Sequence, residues 1–174
     1  MSRKSAFGVL YTDYYRRVYG LCRRLLGAGQ LAEDATQETF MRAYRSFHKF
    51  EPTQPFWQWI AAIASNHCVD LLRGRHRDAQ LFGQEQSELD VADDTQLPIL
   101  THLENTEAAD RLNALVAELP DRYRIPLVLA YYQGISYDDI ASQLGITRTH
   151  VGVLLLRAKE KLRGALIATP EAGK

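Results

Sequence analysis

Cysteine, histidine and long apolar runs are scarce in this 174-residue chain, and each shortage removes a class of function. The two cysteines, Cys22 and Cys68, lie far apart without CxxC spacing. Each falls on helical periodicity and reads as a small buried apolar residue. The five histidines, His48, His67, His76, His102 and His150, show no ligand spacing. Zinc sites need clustered ligands, so no metal and no cofactor is expected. There is no glycine-rich phosphate loop, no paired carboxylates in an evident pocket, and serine, histidine and aspartate are scattered. The chain therefore reads as a binding protein and not an enzyme. The N-terminus, MSRKSAFGVLYTDYY, has charge but no apolar core of the kind a signal peptide needs. No run approaches the roughly 20 apolar residues that cross a bilayer. The expectation is a soluble, cytoplasmic protein without membrane insertion.

What the chain does have is charge in blocks. It carries 21 basic and 21 acidic residues, a net charge of zero. Residues 1–80 hold 12 Lys/Arg against 7 Asp/Glu, residues 81–110 hold none against 8, and residues 111–174 hold 9 against 6. Two basic segments thus flank an acidic one, the pattern of a linker or interaction segment. Low helical periodicity up to Pro98 marks residues 81–104 as an acidic flexible linker between residues 1–80 and 105–168.

The stretch Ile135–Arg163, ISYDDIASQLGITRTHVGVLLLRAKEKLR, reads as two helices joined by a tight turn. Ser136 is an N-cap, with Asp139 in the first turn. Ile140, Ala141 and Leu144 share one face, and Gly145 supplies the positive φ past the helix end. Thr147 caps a second helix, along which Val151, Leu154 or Leu155, Ala158 and Leu162 repeat. This is the spacing of a helix-turn-helix, whose second helix enters the major groove; a plain helical hairpin fits the spacing equally well.

The remaining helices follow from periodicity. Ala6–Leu26 carries Phe7, Leu10, Tyr11, Tyr14, Val18, Leu21, Cys22 and Leu25 on one stripe. Gln30–Phe50 has Glu33, Asp34, Gln37 and Glu38 in its first half and Arg42, Arg45 and Lys49 in its second. Dipole complementarity and i,i+4 pairs such as Glu38–Arg42 account for that order, and so does a docking surface for a basic partner. After Pro52 and Pro55 comes FWQWIAAIASNHCVDLLRGRHR. Aromatic rings beside a basic helix end suit single-stranded nucleic acid, and a core role suits them too, Trp57 more than Trp59. Asn66 stands inside an apolar helix, where a buried amide needs partners. Thr106–Ala117 and Arg122–Gln133 complete a C-terminal bundle, with Pro126 placed in a first helical turn.

LPDRYRIPLVLAYYQGISYDDIASQLGIT and VGVLLLRAKEKLR resemble the fourth domain of bacterial sigma factors, which recognises the −35 promoter element. AEDATQETFMRAYRSFHKF and FWQWIAAIASNHCVDLLRGRHR resemble their second domain, which binds the polymerase β′ clamp helices and melts the −10 element. Two such domains on a short linker resemble the small extracytoplasmic-function (ECF) type, over nearly all of residues 5–165. The resemblance implies an all-α fold of two small helical domains joined by an acidic linker, the C-terminal one carrying the helix-turn-helix. It implies core RNA polymerase (β′ clamp helices and β flap), promoter DNA and an anti-sigma factor as partners. Glu33, Asp34, Gln37 and Glu38 match the polymerase-docking helix, although Leu31 stands where the family often has aspartate. Trp57, Trp59, Asn66, His67, Asp70, Arg73, Arg75 and Arg77 match the −10 segment. Thr147, Arg148, Thr149, His150, Val153, Arg157 and Lys159 match the −35 helix.

That helix departs from the family pattern. Gly152, Val153 and Leu154 stand where Lys, Ser and Arg are frequent. Read as exposed, the glycine costs about 1 kcal/mol relative to alanine. An exposed Val153 or Leu154 can touch a thymine methyl but cannot read guanine. The departure leaves three alternatives open: T-rich −35 reading led by Arg148, Thr149 and His150, an apolar patch of Val153, Leu154 and Leu156 for an anti-sigma partner, or a sigma-like adaptor that has lost promoter reading. A stand-alone helix-turn-helix regulator is the reading that would need neither the Glu33–Glu38 patch nor the Trp57–Arg77 segment.

Overall fold

A computed structural model describes residues 2–27, 29–76, 81–83 and 107–168. Seven α-helices and one 3-10 turn account for the regular structure among them. Contacts divide the chain into two compact units, Met1–Arg75 and His76–Lys174.

The first unit packs three helices against one another: α1 (Arg3–Leu26), α2 (Gln30–Ser46) and α3 (Phe56–Arg75). α1 starts three residues before the sequence expectation because Ser2 caps it, its hydroxyl accepting from the Ser5 N–H at 3.2 Å. The apolar stripe begins only at Phe7, so periodicity alone misses that first turn. Gly27 ends α1 at φ +88°, a conformation open to glycine at little cost. α2 stops at Ser46, short of the expected Phe50, and a 3-10 turn over Phe47–Lys49 follows. There Phe47 and Phe50 stack on each other at 5.9 Å, and both approach the Trp59 ring.

The core of this unit is built from Val18, Leu21, Cys22 and Leu25 of α1, Ala32, Ala35 and Ala43 of α2, and Ile60, Ala64, Cys68 and Leu72 of α3. Small residues on α2 and α3 let the helix axes approach closely. Thr36 and Thr39 are fully buried, and their hydroxyls donate to the Ala32 and Ala35 carbonyls at 2.7 Å each. Buried hydroxyls satisfied within their own helix carry no desolvation penalty for a missing partner. Both cysteines are free and buried, as periodicity predicts. The neighbouring Cys22 thiol and burial push the Cys68 thiol far up.

The second unit holds α4 (Glu107–Glu118), α5 (Asp121–Tyr131), α6 (Tyr137–Leu144) and α7 (Arg148–Ala168). α5 is buried continuously from Tyr123 to Leu129, so it forms the centre on which α6 and α7 rest. Pro126 lies in the second turn of α5, not the first, because the helix begins at Asp121. It therefore has no N–H to donate to the Arg122 carbonyl. Arg124 is buried at 6% exposure and donates to the Leu119 carbonyl at 2.8 Å and to the Asp121 carboxylate. The other Asp121 oxygen lies 2.8 Å from His76 Nε2. Burial alone would raise the Asp121 carboxyl, but the His76 hydrogen bond and the Arg124 charge outweigh it and hold the group below its ordinary value.

Among the described residues, no helix is long and apolar enough to cross a membrane, and no cluster of three metal-ligating side chains occurs. Most of the stretch expected to be linker lies outside the described residues. Leu81–Gly83 is described, and there Phe82 is packed at 5% exposure.

Candidate nucleic-acid interface

The polar face of α2 is where the sequence places it. Glu33, Asp34, Gln37 and Glu38 fall at i, i+1, i+4 and i+5, on one side of the helix. The first three are exposed and Glu38 is half-buried. Gln30 Nε2 donates to Asp34 Oδ1 at 2.9 Å, and Arg42 Nε donates to Glu38 Oε1 at 2.8 Å. The Arg42 hydrogen bond holds the Glu38 carboxyl below its ordinary value, against a smaller contrary pull from desolvation. These bonds fix the carboxylates in place while leaving acceptor oxygens open. Beside them a groove of about 430 Å³ is lined by Phe7, Tyr11, Gln37, Phe40, Met41 and Tyr44, so the acidic face continues into an apolar one.

On α3 the expected site residues do not all come together. At about 100° per residue, Trp59, Asn66, Asp70 and Arg73 fall in one narrow stripe, with His67 at its margin. Asn66, Asp70 and Arg73 are exposed, and Trp59 and His67 are half-buried. Asn66 is thus not an amide inside an apolar core; it stands on the outer surface of α3. Trp57 and Arg75 lie about 160° round the helix from Trp59 and cannot share that stripe. Nor is Trp57 core: it is half-buried, with the Arg17 guanidinium of α1 3.9 Å from its ring centroid. Trp59 is the better packed of the pair, its ring 5.2 Å from Phe50, 5.8 Å from Phe56 and 6.3 Å from Phe47. Arg77 lies outside the described residues. Desolvation lowers the pKa of His67, the Arg42 charge adds to that, and Glu38 and Asp70 only partly offset it. His67 therefore ties the α3 stripe electrostatically to the α2 face. No sequence signal identified Arg17 or Phe50 as parts of this surface, since each is set by packing between helices.

The helix-turn-helix forms as its caps dictate. Ser136 Oγ accepts from the Asp139 N–H at 3.2 Å, Gly145 takes φ +68°, ψ +33°, and the Ile146 N–H reaches back to the Ala141 carbonyl at 3.0 Å. Thr147 Oγ1 accepts from the His150 N–H at 3.1 Å and starts α7. Thr147, Arg148 and Thr149 are exposed at the tip. Arg148 Nη1 donates to Asp138 Oδ2 at 2.8 Å, which links the two helices across the turn. His150 and Arg157 share one side of α7, whereas Lys159 lies on the other, 5.2 Å from the Tyr131 ring of α5.

Here the structure overturns the sequence reading of the departure from pattern. Gly152, Val153 and Leu154 are buried, not exposed, and so are Val151 and Leu155 on either side. Val153 is 2% exposed and Leu154 0%, so neither presents a methyl contact to a base or an apolar patch to a partner. The apolar character at 152–154 is core packing, which removes its use as a sign of lost promoter reading. Five successive buried positions exceed what a one-sided helix allows. They follow from cover on more than one side of α7, which a single-sequence moment cannot register.

An acidic face and an aromatic–polar stripe thus stand on one three-helix unit, and a capped helix-turn-helix stands on the other. Residues 10–78 match the model for sigma-70 region 2, and residues 109–162 match that for sigma-70 region 4. The chain is 31% identical over 169 residues to the ECF RNA polymerase sigma factor SigW of Bacillus subtilis, covering 94% of this chain and 90% of that one. It is 33% identical over 166 residues to the RNA polymerase sigma factor CarQ of Myxococcus xanthus, covering 94% and 90%. In fold it is similar to the sigma factor RpoE of Bartonella quintana, solved with the anti-sigma factor NepR, with a TM-score of 0.60 and 21% identity over 93% of this chain and 97% of that one. It is also similar to CnrH, solved with the cytosolic domain of CnrY, at a TM-score of 0.55 and 24% identity over 95% and 90%. The chain belongs to the sigma-70 family of transcription initiation factors, in its extracytoplasmic-function group.

Proposed function

We propose the following division of labour for this sigma factor. Residues 1–80 form the domain that docks on core RNA polymerase and captures the −10 strand; residues 105–168 form the domain that reads the −35 element. Glu33, Asp34, Gln37 and Glu38 dock on the β′ clamp helices, and the adjoining apolar groove extends that contact. Trp59, Asn66, Asp70 and Arg73, with His67 at the margin, take the unpaired −10 strand: the ring stacks on a base, and the polar groups meet its edges and backbone. Extracting a base costs a few kcal/mol, which contacts made only to the single strand must repay. Trp57 and Arg75 support this surface from another side of α3. Thr147, Arg148, Thr149, His150 and Arg157 face the −35 major groove, where Arg can read guanine bidentately. The β flap and an anti-sigma factor are further partners, the latter because the similar RpoE was solved with the anti-sigma factor NepR. The chain acts by binding, without catalysis of its own, in the cytoplasm.

The observation that carries the reading is the placement of the acidic α2 face and the α3 stripe on the same compact unit, coupled through Glu38, Arg42 and His67. A stand-alone regulator of duplex DNA has use for neither surface. The test is binding to bacterial core RNA polymerase by the wild type and by Asp34→Lys/Glu38→Lys, followed by run-off transcription from the chain's own upstream promoter. Core binding that fails on charge reversal, with promoter-specific transcripts from the wild type, is the expected result. Core binding equal in both proteins removes the docking assignment.

A further inference from the structure

Several observations meet at the N-terminal end of α7. Phe82 is 5% exposed, although it opens a stretch, residues 81–110, that carries 8 acidic and no basic residues. His150 Nε2–H donates to the Phe82 carbonyl oxygen at 3.1 Å. Gly83 turns at φ +68°, and a methyl group placed on it would stand 3.9 Å from Arg122 Nη1. The segment therefore lies against the starts of both α5 and α7. One turn beyond His150, Val153 is 2% exposed.

His150 is among the residues assigned to the −35 groove. An imidazole N–H committed to a backbone carbonyl is not available to a base edge, since each ring N–H makes one good hydrogen bond. The backbone lying beside that imidazole also occupies space that DNA must enter. We propose that docking of Phe82 on the second unit and entry of α7 into the major groove exclude each other, so that residues 81–83 act as an intramolecular brake on −35 binding. The inference rests on the reading of α7 as the DNA-facing helix and adds its regulation. Burial of an aromatic side chain strongly favours the docked form. Apparent affinity for DNA falls by the fraction of molecules that are undocked. With about one molecule in ten undocked, the brake costs about tenfold in Kd. Any event that draws residues 81–83 away from α7 restores that factor.

The full chain and its Phe82→Ala variant are compared for binding to a fluorescein-labelled mixed-sequence duplex by anisotropy, with Arg157→Ala as a third protein. Amide hydrogen exchange at Phe82 and Gly83 is followed with and without the duplex. Phe82→Ala is expected to bind about tenfold tighter. In the wild type, the duplex is expected to speed exchange at these amides. A purely structural anchor gives the opposite: removing it loosens the unit and leaves DNA binding equal or weaker. Equal or weaker binding by Phe82→Ala, or slowed exchange at residues 82–83 on adding duplex, overturns the brake. If Arg157→Ala weakens binding while Phe82→Ala does not change it, only the brake fails. If no protein binds duplex, or Arg157→Ala changes nothing, the DNA-facing assignment fails and takes the brake with it.

Discussion

Replacing Trp59 by leucine, with Trp57→Leu beside it, separates the two tryptophans by function. Leucine keeps apolar bulk and removes the π face, so burial is largely retained. Trp59 loses ring contacts to Phe50 at 5.2 Å, Phe56 at 5.8 Å and Phe47 at 6.3 Å. At about 0.5–1.5 kcal/mol per aromatic pair, and with leucine still filling the space, the unfolding cost is roughly 1–3 kcal/mol. The stacked base adds a separate loss of about 1–3 kcal/mol in strand binding, which is roughly 5- to 150-fold in Kd. Trp57 has one special partner, the Arg17 guanidinium at 3.9 Å, worth about 0.5–1 kcal/mol at a half-open site. It lies about 160° away from Trp59 on α3, so Trp57→Leu is expected to leave strand binding within about twofold. The assay is binding of a labelled non-template −10 oligonucleotide to reconstituted holoenzyme, below the unfolding transitions of both variants, with urea melts of the free chains alongside. Equal losses in strand binding for the two variants refute the stripe. So does a Trp59→Leu protein that is destabilised yet binds the strand normally, because the ring is then packing alone.

Three further perturbations follow from the same geometry. Asp121→Ala leaves the buried Arg124 without its carboxylate, and the second unit is expected to lose about 3 kcal/mol in urea unfolding; a loss under about 1 kcal/mol means water reaches the guanidinium. Gly145→Ala forces a Cβ into φ +68° and is expected to cost about 1–2 kcal/mol, roughly 4–16 °C in the Tm of a unit this size, read by circular dichroism; an unchanged Tm means the turn has relaxed to another conformation. His67 is expected to titrate below the ordinary histidine value in an NMR pH series, because burial and Arg42 disfavour its charge. A folded pKa below the unfolded one means that its contribution to stability is complete above the unfolded value and declines as pH falls from there through the folded one. Arg42→Ala is expected to move the midpoint upward, and a downward move refutes the assigned cause.

The helix-turn-helix was legible residue by residue because each of its signals is local. Ser136, Gly145 and Thr147 act through hydrogen bonds or φ angles within four residues of themselves, and those do not depend on the rest of the fold. The acidic face of α2 was legible for the same reason: an i, i+1, i+4, i+5 spacing determines a side of a helix before any packing occurs. Periodicity likewise placed both cysteines and most of the three-helix core.

What periodicity could not supply was which side of a helix faces solvent once other elements arrive. Gly152–Leu154 read as an exposed departure from pattern and proved to be core, because α7 is covered on more than one side. Trp57 and Trp59, two residues apart, were separable only when α1 brought Arg17 to one and the 3-10 turn brought Phe47 and Phe50 to the other. Asn66 changed from interior to surface by the rotation of α3 alone. Phe82, one aromatic in an acidic stretch, carries no periodic signal, and the residues its segment meets, Arg122 and His150, lie more than 35 residues further along the chain. Local hydrogen bonding and helical spacing are written into neighbouring residues, while burial is a property of surfaces that meet only when the chain has folded.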